Sequence, residues 1–232
     1  MHRFWEKVIK PIVIAAQPKI IVEIGSLTGL NTFKVLDYCK HSEAELIIVE
    51  PAPQYNYDLL KAYYGDHVTL LQKFSLDALP EIPKYDLLLV DGDHNWYTVY
   101  HELKLAEKMA EQSGSFPIIL FHDTNWPYGR RDMYYFPESI PEEFRKTYER
   151  KGMQPGVSEL LESGGFNNIA LNAVYEHGER NGVLTAIEDF VKESPFSLRY
   201  YDLYSNNGLG IIVPESSSIR KVLPYILESS GL

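Results

Sequence analysis

Acidic residues and histidines stand where four apolar runs stop. Glu23 lies inside Ile20-Ile-Val-Glu-Ile24, two residues before Gly25, and Glu50 closes Glu45-Leu-Ile-Ile-Val49. Asp91-Gly92-Asp93-His94 ends Tyr85-Asp-Leu-Leu-Leu-Val90, and His122-Asp123 ends Pro117-Ile-Ile-Leu-Phe121. Carboxylates accept hydrogen bonds and attract cations, whereas imidazole moves protons near neutral pH. Any one of these groups alone could be a solvated strand end or a helix cap. If the four runs are neighbouring parallel strands, however, their ends meet along the edge where open α/β sheets bind ligands.

The stretch Ile20–Thr32 narrows the ligand. A β-branched run breaks at Gly25, and polar residues then lead into Phe33–Tyr38, so the spacing predicts strand, tight loop and helix. Gly25 permits a positive φ and a close ligand, Gly29 lets the helix lie against the strand, and the free N–H groups of the helix start suit a carboxylate. Ser26 belongs to the same loop. A dinucleotide fingerprint needs Gly-x-Gly-x-x-Gly around a pyrophosphate, whereas here only two glycines stand behind an acid, with three residues between them. At ~5 Å and an effective dielectric of ~20, that acid repels a phosphate charge by roughly 3 kcal/mol and attracts an ammonium or sulfonium equally. The loop favours a cationic ligand, and S-adenosylmethionine offers an ammonium to the acid and a carboxylate to the helix start. Glu50, roughly 20 to 30 residues past the loop, is placed to accept from both ribose hydroxyls, and Ser75 or Asp77 to reach an adenine edge.

Glu-x-Gly-x-x-x-Gly after a hydrophobic strand resembles the first motif of class I S-adenosylmethionine-dependent methyltransferases. Asp91-Gly-Asp-His94, followed at the next strand end by His122-Asp123, resembles a narrower group: the family 24 methyltransferase domains and the metal-dependent sugar O-methyltransferases of macrolide biosynthesis. The likeness covers Val22 to Asp123 well and the tail around Asn181–Phe190 loosely. It implies Glu23, Gly25, Ser26, Gly29, Glu50, Ser75 and Asp91 as cofactor residues, Asp91 and Asp123 as ligands of a divalent cation, and His94 as general base.

His122 stands where the metal-dependent members usually carry a carboxylate, which makes it a third ligand candidate and a second candidate for proton transfer. The group's cation would be magnesium or manganese, and one imidazole moves the preference away from magnesium towards manganese, iron or zinc. Such help has a physical reason, because a sugar hydroxyl is far less acidic than imidazolium. Coordination lowers a bound water's pKa from ~15.7 to ~7, and a positioned base adds about 10²–10⁴-fold. The implied acceptor is a small molecule, a sugar or an anionic glycoside, with Arg130 and Arg131 offering paired donors to an anion.

Repeated strand and helix predict an α/β fold: a doubly wound, mainly parallel Rossmann-like sheet. Leu198–Tyr204 and Leu209–Val213 around Ser205-Asn-Asn-Gly208 predict a C-terminal antiparallel hairpin, as in the class I methyltransferase fold. Helices are expected over about Arg3–Ala16, Tyr57–Tyr64, Trp96–Ala110 and Leu184–Val191, a polar turn over Ser75–Leu79, and irregular chain from Asn125 to about Gly165. One domain spanning 1–232, with a lid or substrate-binding insertion at about 125–180, accounts for the 232 residues.

A composition of 45% hydrophobic and 23% charged residues is that of an ordinary globular chain. The 22 basic residues against 32 acidic ones, a net charge of −10, disfavour nucleic acid and anionic membrane as partners. Lone Cys39 excludes an intrachain disulfide, and Lys10-Pro11 interrupts Val8–Ala16, so a soluble cytoplasmic chain with neither signal peptide nor membrane span is expected. Self-association is left open. The rival functions are a noncatalytic S-adenosylmethionine-binding or partner-binding module and, second to it, a nicotinamide-dependent oxidoreductase.

Overall fold

In the computed structural model, which describes residues 1–232, the apolar runs become adjacent strands. They are β1 (Ile20–Ile24), β2 (Glu45–Val49), β3 (Val68–Leu71), β4 (Leu87–Val90) and β5 (Ile118–His122). Between them lie helices α1 (Lys10–Ala16) before β1, then α2 (Thr32–Ser42), α3 (Tyr57–Tyr64), α4 (Ser75–Ala78) and α5 (Trp96–Ser113). An insertion carries β6 (Met133–Tyr134), β7 (Tyr148–Glu149) and β8 (Leu171–Ala173), and the chain ends with α6 (Val183–Glu193), β9 (Leu198–Leu203), β10 (Leu209–Pro214) and α7 (Leu223–Ser230).

The main sheet has the order β3-β2-β1-β4-β5-β10-β9. Its first five strands are parallel, and the β9–β10 hairpin adds antiparallel at β5. Alternation along each strand separates two cores. Ile21, Leu46, Ile48, Leu87, Leu89 and Leu120 join one face with Phe4, Ile12 and Leu36. Val22, Ile24, Leu88, Val90, Ile119 and Phe121 join the other with Val99, Leu103 and Ile187. Burial on both faces explains why these strands read as continuous apolar runs.

Helix starts follow local chemistry. The Asn56 and Asn95 side chains accept from the Leu59 and Thr98 N–H groups and cap α3 and α5. Pro11 sits in the first turn of α1, which continues a π-helical turn over Trp5–Ile9, so the helical run changes pitch where the proline's missing N–H falls.

Three expectations are corrected. Ser75–Leu79 is not a polar turn but the short helix α4 running into a 3₁₀ turn, since one turn of helix satisfies the backbone there. The segment expected to be irregular contains the antiparallel sheet β6-β8-β7. Helix α7 went unpredicted although Leu223, Ile226 and Leu227 have helical spacing. No helix is long and apolar enough to cross a membrane.

The insertion is tied to the main sheet's helices by Asp132, which is 1% exposed. Its Oδ1 accepts from the Trp96 N–H at the start of α5 and the Gly182 N–H at the start of α6, both at 2.7 Å, and its Oδ2 accepts from the Tyr134 hydroxyl at 2.8 Å. Arg131, fully buried, donates to the carbonyls of Ala173 and Ser158.

Gly25 fixes the closeness of β1 and β4. Its φ is +83°, and a Cβ built there would lie 2.2 Å from the Asp91 carbonyl oxygen. Gly25→Ala combines backbone strain with that clash and is expected to cost about 3 kcal/mol, read from urea denaturation midpoints.

Candidate active site

The four strand-end acids converge at the carboxyl edge of β2, β1, β4 and β5, which are consecutive in the sheet. Each is met by donors. Glu23, 2% exposed, accepts from Asn31 Nδ2 at 2.8 Å and Thr32 Oγ1 at 2.6 Å. Its oxygens are thus engaged by the start of α2, where the sequence had aimed them at an ammonium. Glu50 accepts from the Leu27 N–H and the Ala52 N–H, both at 2.9 Å, and so holds the glycine loop against the end of β2. Ser26 Oγ lies 2.9 Å from the Tyr55 hydroxyl. Gly29, at φ +80°, leaves room for the Phe33 and Tyr55 rings.

Asp91 and Asp123 share an imidazole. His122 Nδ1 lies 2.7 Å from Asp123 Oδ2 and 3.2 Å from Asp91 Oδ1. His94 Nε2 lies 2.7 Å from the same Asp123 oxygen, and Asn207 Nδ2 donates to Asp123 Oδ1 at 3.2 Å. Asp91 Oδ2 also receives the Met1 ammonium at 2.7 Å, and the Phe4 ring meets the His122 ring edge-on. One atom each from Asp91, His122 and Asp123 lies within 4.8 Å of the others, a spacing that a single cation can span.

His94 has the geometry of an oriented base. With Nε2–H donating to Asp123, its Nδ1 lone pair is left over, and Nδ1 is buried without a protein partner. The rings of Tyr128 and Tyr135 stand edge-on to the imidazole, at 5.2 and 5.9 Å between centroids. The insertion covers this histidine directly, since the Met133 N–H donates to the His94 carbonyl at 3.0 Å.

Electrostatics follow burial and pairing. Burial opposes charge on Asp123, but His94 and His122 outweigh it and hold the carboxyl well below the usual carboxylate range. Burial likewise lowers His122, while Asp123 and Asp91 raise it further, to about 9. His94 is raised for the same reason, chiefly by Asp123.

Arg130 and Arg131, read as donors either to an acceptor anion or to nearby acids, are both engaged within the protein. Arg130 forms a two-point pair with Glu188 at 2.6 and 2.7 Å, and Arg131 pins the insertion. Ser75 is buried at the start of α4. Sequence reasoning missed Asn207, Asp132 and the Met1 contact, all supplied by chain far from the strand ends; the Asn-Asn-Gly turn signalled only a hairpin. A cleft of about 480 Å³ between α5, α6 and the insertion includes Trp96, Phe144 and Arg180. It lies apart from the strand-end acids, and the Arg180 guanidinium already stacks on both rings at 5.3 Å.

A five-stranded parallel sheet extended by an antiparallel hairpin, with acids along its carboxyl edge, defines the class I methyltransferase architecture. Residues 22–124 match the family Methyltransf_24, a methyltransferase domain. It is 26% identical over 106 residues to the O-methyltransferase hkm8 of Aspergillus hancockii. That match covers 44% of this chain, and the chain spans only 42% of that relative's length. The fold is also that of the S-adenosylhomocysteine-bound methyltransferase PaMTH1 of Podospora anserina, with a TM-score of 0.53 and 18% identity over 88% of this chain and 76% of the other.

Glu23 gives a pH test of this edge. Burial raises its carboxyl from 4.5 to about 7 against the pull of Thr32 and Asn31. The folded chain holds this proton more tightly than the unfolded chain, so stability falls as pH rises between those two values, by about 3 kcal/mol in all. Glu23→Gln should remove that slope, as read from urea midpoints at pH values below and above the window.

Proposed function

We propose that this chain is an S-adenosylmethionine-dependent O-methyltransferase acting on a hydroxyl of a small molecule, with a sugar or glycosylated acceptor as the class its motifs imply. The observation that carries it is His94: a base with one nitrogen fixed by a buried carboxylate and the other unbonded, beside a glycine loop edged with acids. Gly25 and Gly29, both at positive φ, let the loop turn tightly against the Asp91 backbone and the Phe33 and Tyr55 rings, which supports reading it as the donor's cradle. In this role the loop between Gly25 and α2 takes the donor's carboxylate, and Glu50 and Ser75 take the ribose and adenine. Glu23 and Asp91 supply negative potential to the sulfonium and ammonium, and a cation at that edge favours the charged form of Glu23.

Bound donor supplies an electrophilic methyl group on sulfur. His94 Nδ1 takes the acceptor's hydroxyl proton as the acceptor oxygen bonds to the methyl carbon and the C–S electron pair returns to sulfur. Asp123 keeps the imidazole in the tautomer that leaves Nδ1 free and stabilises the charge it gains. Tyr128 and Tyr135 exclude water around it, and the insertion acts as the lid.

The donor set of Asp91, His122 and Asp123 fits a divalent cation of the manganese, iron or zinc type better than magnesium. Bound there, such an ion would lower the acceptor hydroxyl's pKa. Buried, unpaired Cys39 agrees with the cytoplasmic setting proposed from the sequence.

Calorimetry should show S-adenosylhomocysteine binding and no NAD binding, and mass spectrometry a gain of one methyl group on hydroxylated acceptors. His94→Asn is expected to lower kcat about 10²–10⁴-fold with little change in donor affinity. Unchanged turnover would remove His94 as the base, and S-adenosylhomocysteine binding without any methyl transfer would return the chain to a binding module. Because His94 is raised above 6.5, kcat should rise with pH through an apparent pKa above that value. Exhaustive chelation should depress the rate and manganese restore it; an undiminished rate would remove the metal.

A further inference from the structure

The cleft between α5, α6 and the insertion is walled by side chains that the strand-end chemistry does not use. Trp96 and Tyr100 of α5 stack at 4.6 Å between centroids, and Phe144 of the insertion stands 5.9 Å from Trp96, the planes of both neighbours lying 11° from that of Trp96. Two carboxylates of α6 fix the polar ends of these rings. Asp189 Oδ2 accepts from Trp96 Nε1 at 2.8 Å, and Glu193 Oε2 accepts from the Tyr100 hydroxyl at 2.5 Å. Each acid keeps a second oxygen that no group of the protein meets. A volume of about 480 Å³ is that of a small-molecule site.

Charge defines what suits it. Glu179 joins Asp189 and Glu193 in the lining, and Arg180 is the only lysine or arginine there, so the cleft is net negative. Arg180 pairs with none of the three. Its guanidinium lies instead over Trp96 and Phe144, 5.3 Å from each centroid, on a residue whose φ is +51°. A residue with a Cβ seldom takes that backbone region, and an exposed guanidinium held by ring faces alone is held weakly. The chain thus shows on itself which group these rings accept, and leaves that group easy to displace.

The ring geometry selects further. Rings set at angles enclose a rounded quaternary ammonium, whereas parallel faces fit a planar guanidinium, whose fork of N–H groups also serves carboxylate oxygens at its edge.

We infer that this cleft is a second ligand site, for a small organic cation with a guanidinium head. The head rests on Trp96 and Phe144, turns its N–H groups to the spare oxygens of Asp189 and Glu193, and displaces Arg180, which is its tethered competitor. The site stands apart from the strand-end acids and does not depend on what they bind.

The test is calorimetric titration of the full chain with agmatine, and with 1,4-diaminobutane, which carries an ammonium in place of the guanidinium. Native protein, Arg180→Ala, and Arg180→Ala combined with either Asp189→Asn or Phe144→Leu are compared, with Tm measured alongside. Arg180→Ala should bind one agmatine per chain at least threefold more tightly than native protein does, and at least threefold more tightly than it binds 1,4-diaminobutane. Adding Asp189→Asn, which keeps an acceptor for Trp96 Nε1, or Phe144→Leu should weaken agmatine at least threefold without a matching fall in Tm. No agmatine binding by Arg180→Ala, a gain of less than threefold over native protein, equal affinity for the two compounds, or binding untouched by both added substitutions would overturn the inference.

Discussion

A buried carboxylate needs donors, and three of them, Glu23, Glu50 and Asp123, end adjacent strands of this sheet together with the half-buried Asp91. Low dielectric makes each unpaired charge costly, so loops that reach the edge are shaped by what the acids require. Glu23 fixes the start of α2 through Asn31 and Thr32, and Glu50 fixes the glycine loop through Leu27. Asp123 draws in two imidazoles and the turn of the C-terminal hairpin. The same carboxylates make the edge negative, which is the property a cationic methyl donor needs. Fold and chemistry share one set of side chains there.

Asp123 shows the local cost of that arrangement. It sits at a φ of +59°, a backbone region that residues with a Cβ seldom occupy. The chain can hold it because the Asn125 N–H donates to the Asn207 carbonyl at 2.8 Å and Asn125 Nδ2 donates to the Tyr204 carbonyl at 3.1 Å. Gly208 gives the room, since a Cβ there would lie 2.6 Å from the Asn125 nitrogen and Thr124 Oγ1. The hairpin that completes the sheet thus also orients the carboxylate beside His94.

What could be seen in the sequence was what has a short period or a local partner. Strands buried on both faces appear as unbroken apolar runs, and Glu23, Glu50, Asp91 and Asp123 are conspicuous because they interrupt or end them. The donors were hidden where they come from distant chain: Asn207 lies 84 residues from Asp123, and Asp132 joins two helix starts through Trp96, 36 residues before it, and Gly182, 50 after. Strands of two residues, such as Met133–Tyr134 and Tyr148–Glu149, carry too little alternation to show. Arg131 misled for a related reason. An arginine in a polar, aromatic stretch looks solvated, and only the tertiary fold reveals that its guanidinium is buried against two backbone carbonyls.

Asp132 has a consequence for how the molecule comes apart. Because its carboxylate accepts from the Trp96 and Gly182 N–H groups at the starts of α5 and α6, loosening the insertion would leave a buried N–H unmet on two helices of the main body at once. The covering segment and the sheet beneath it therefore form one cooperative unit, and backbone amides near Trp96 and Gly182 exchange with solvent only when both give way together.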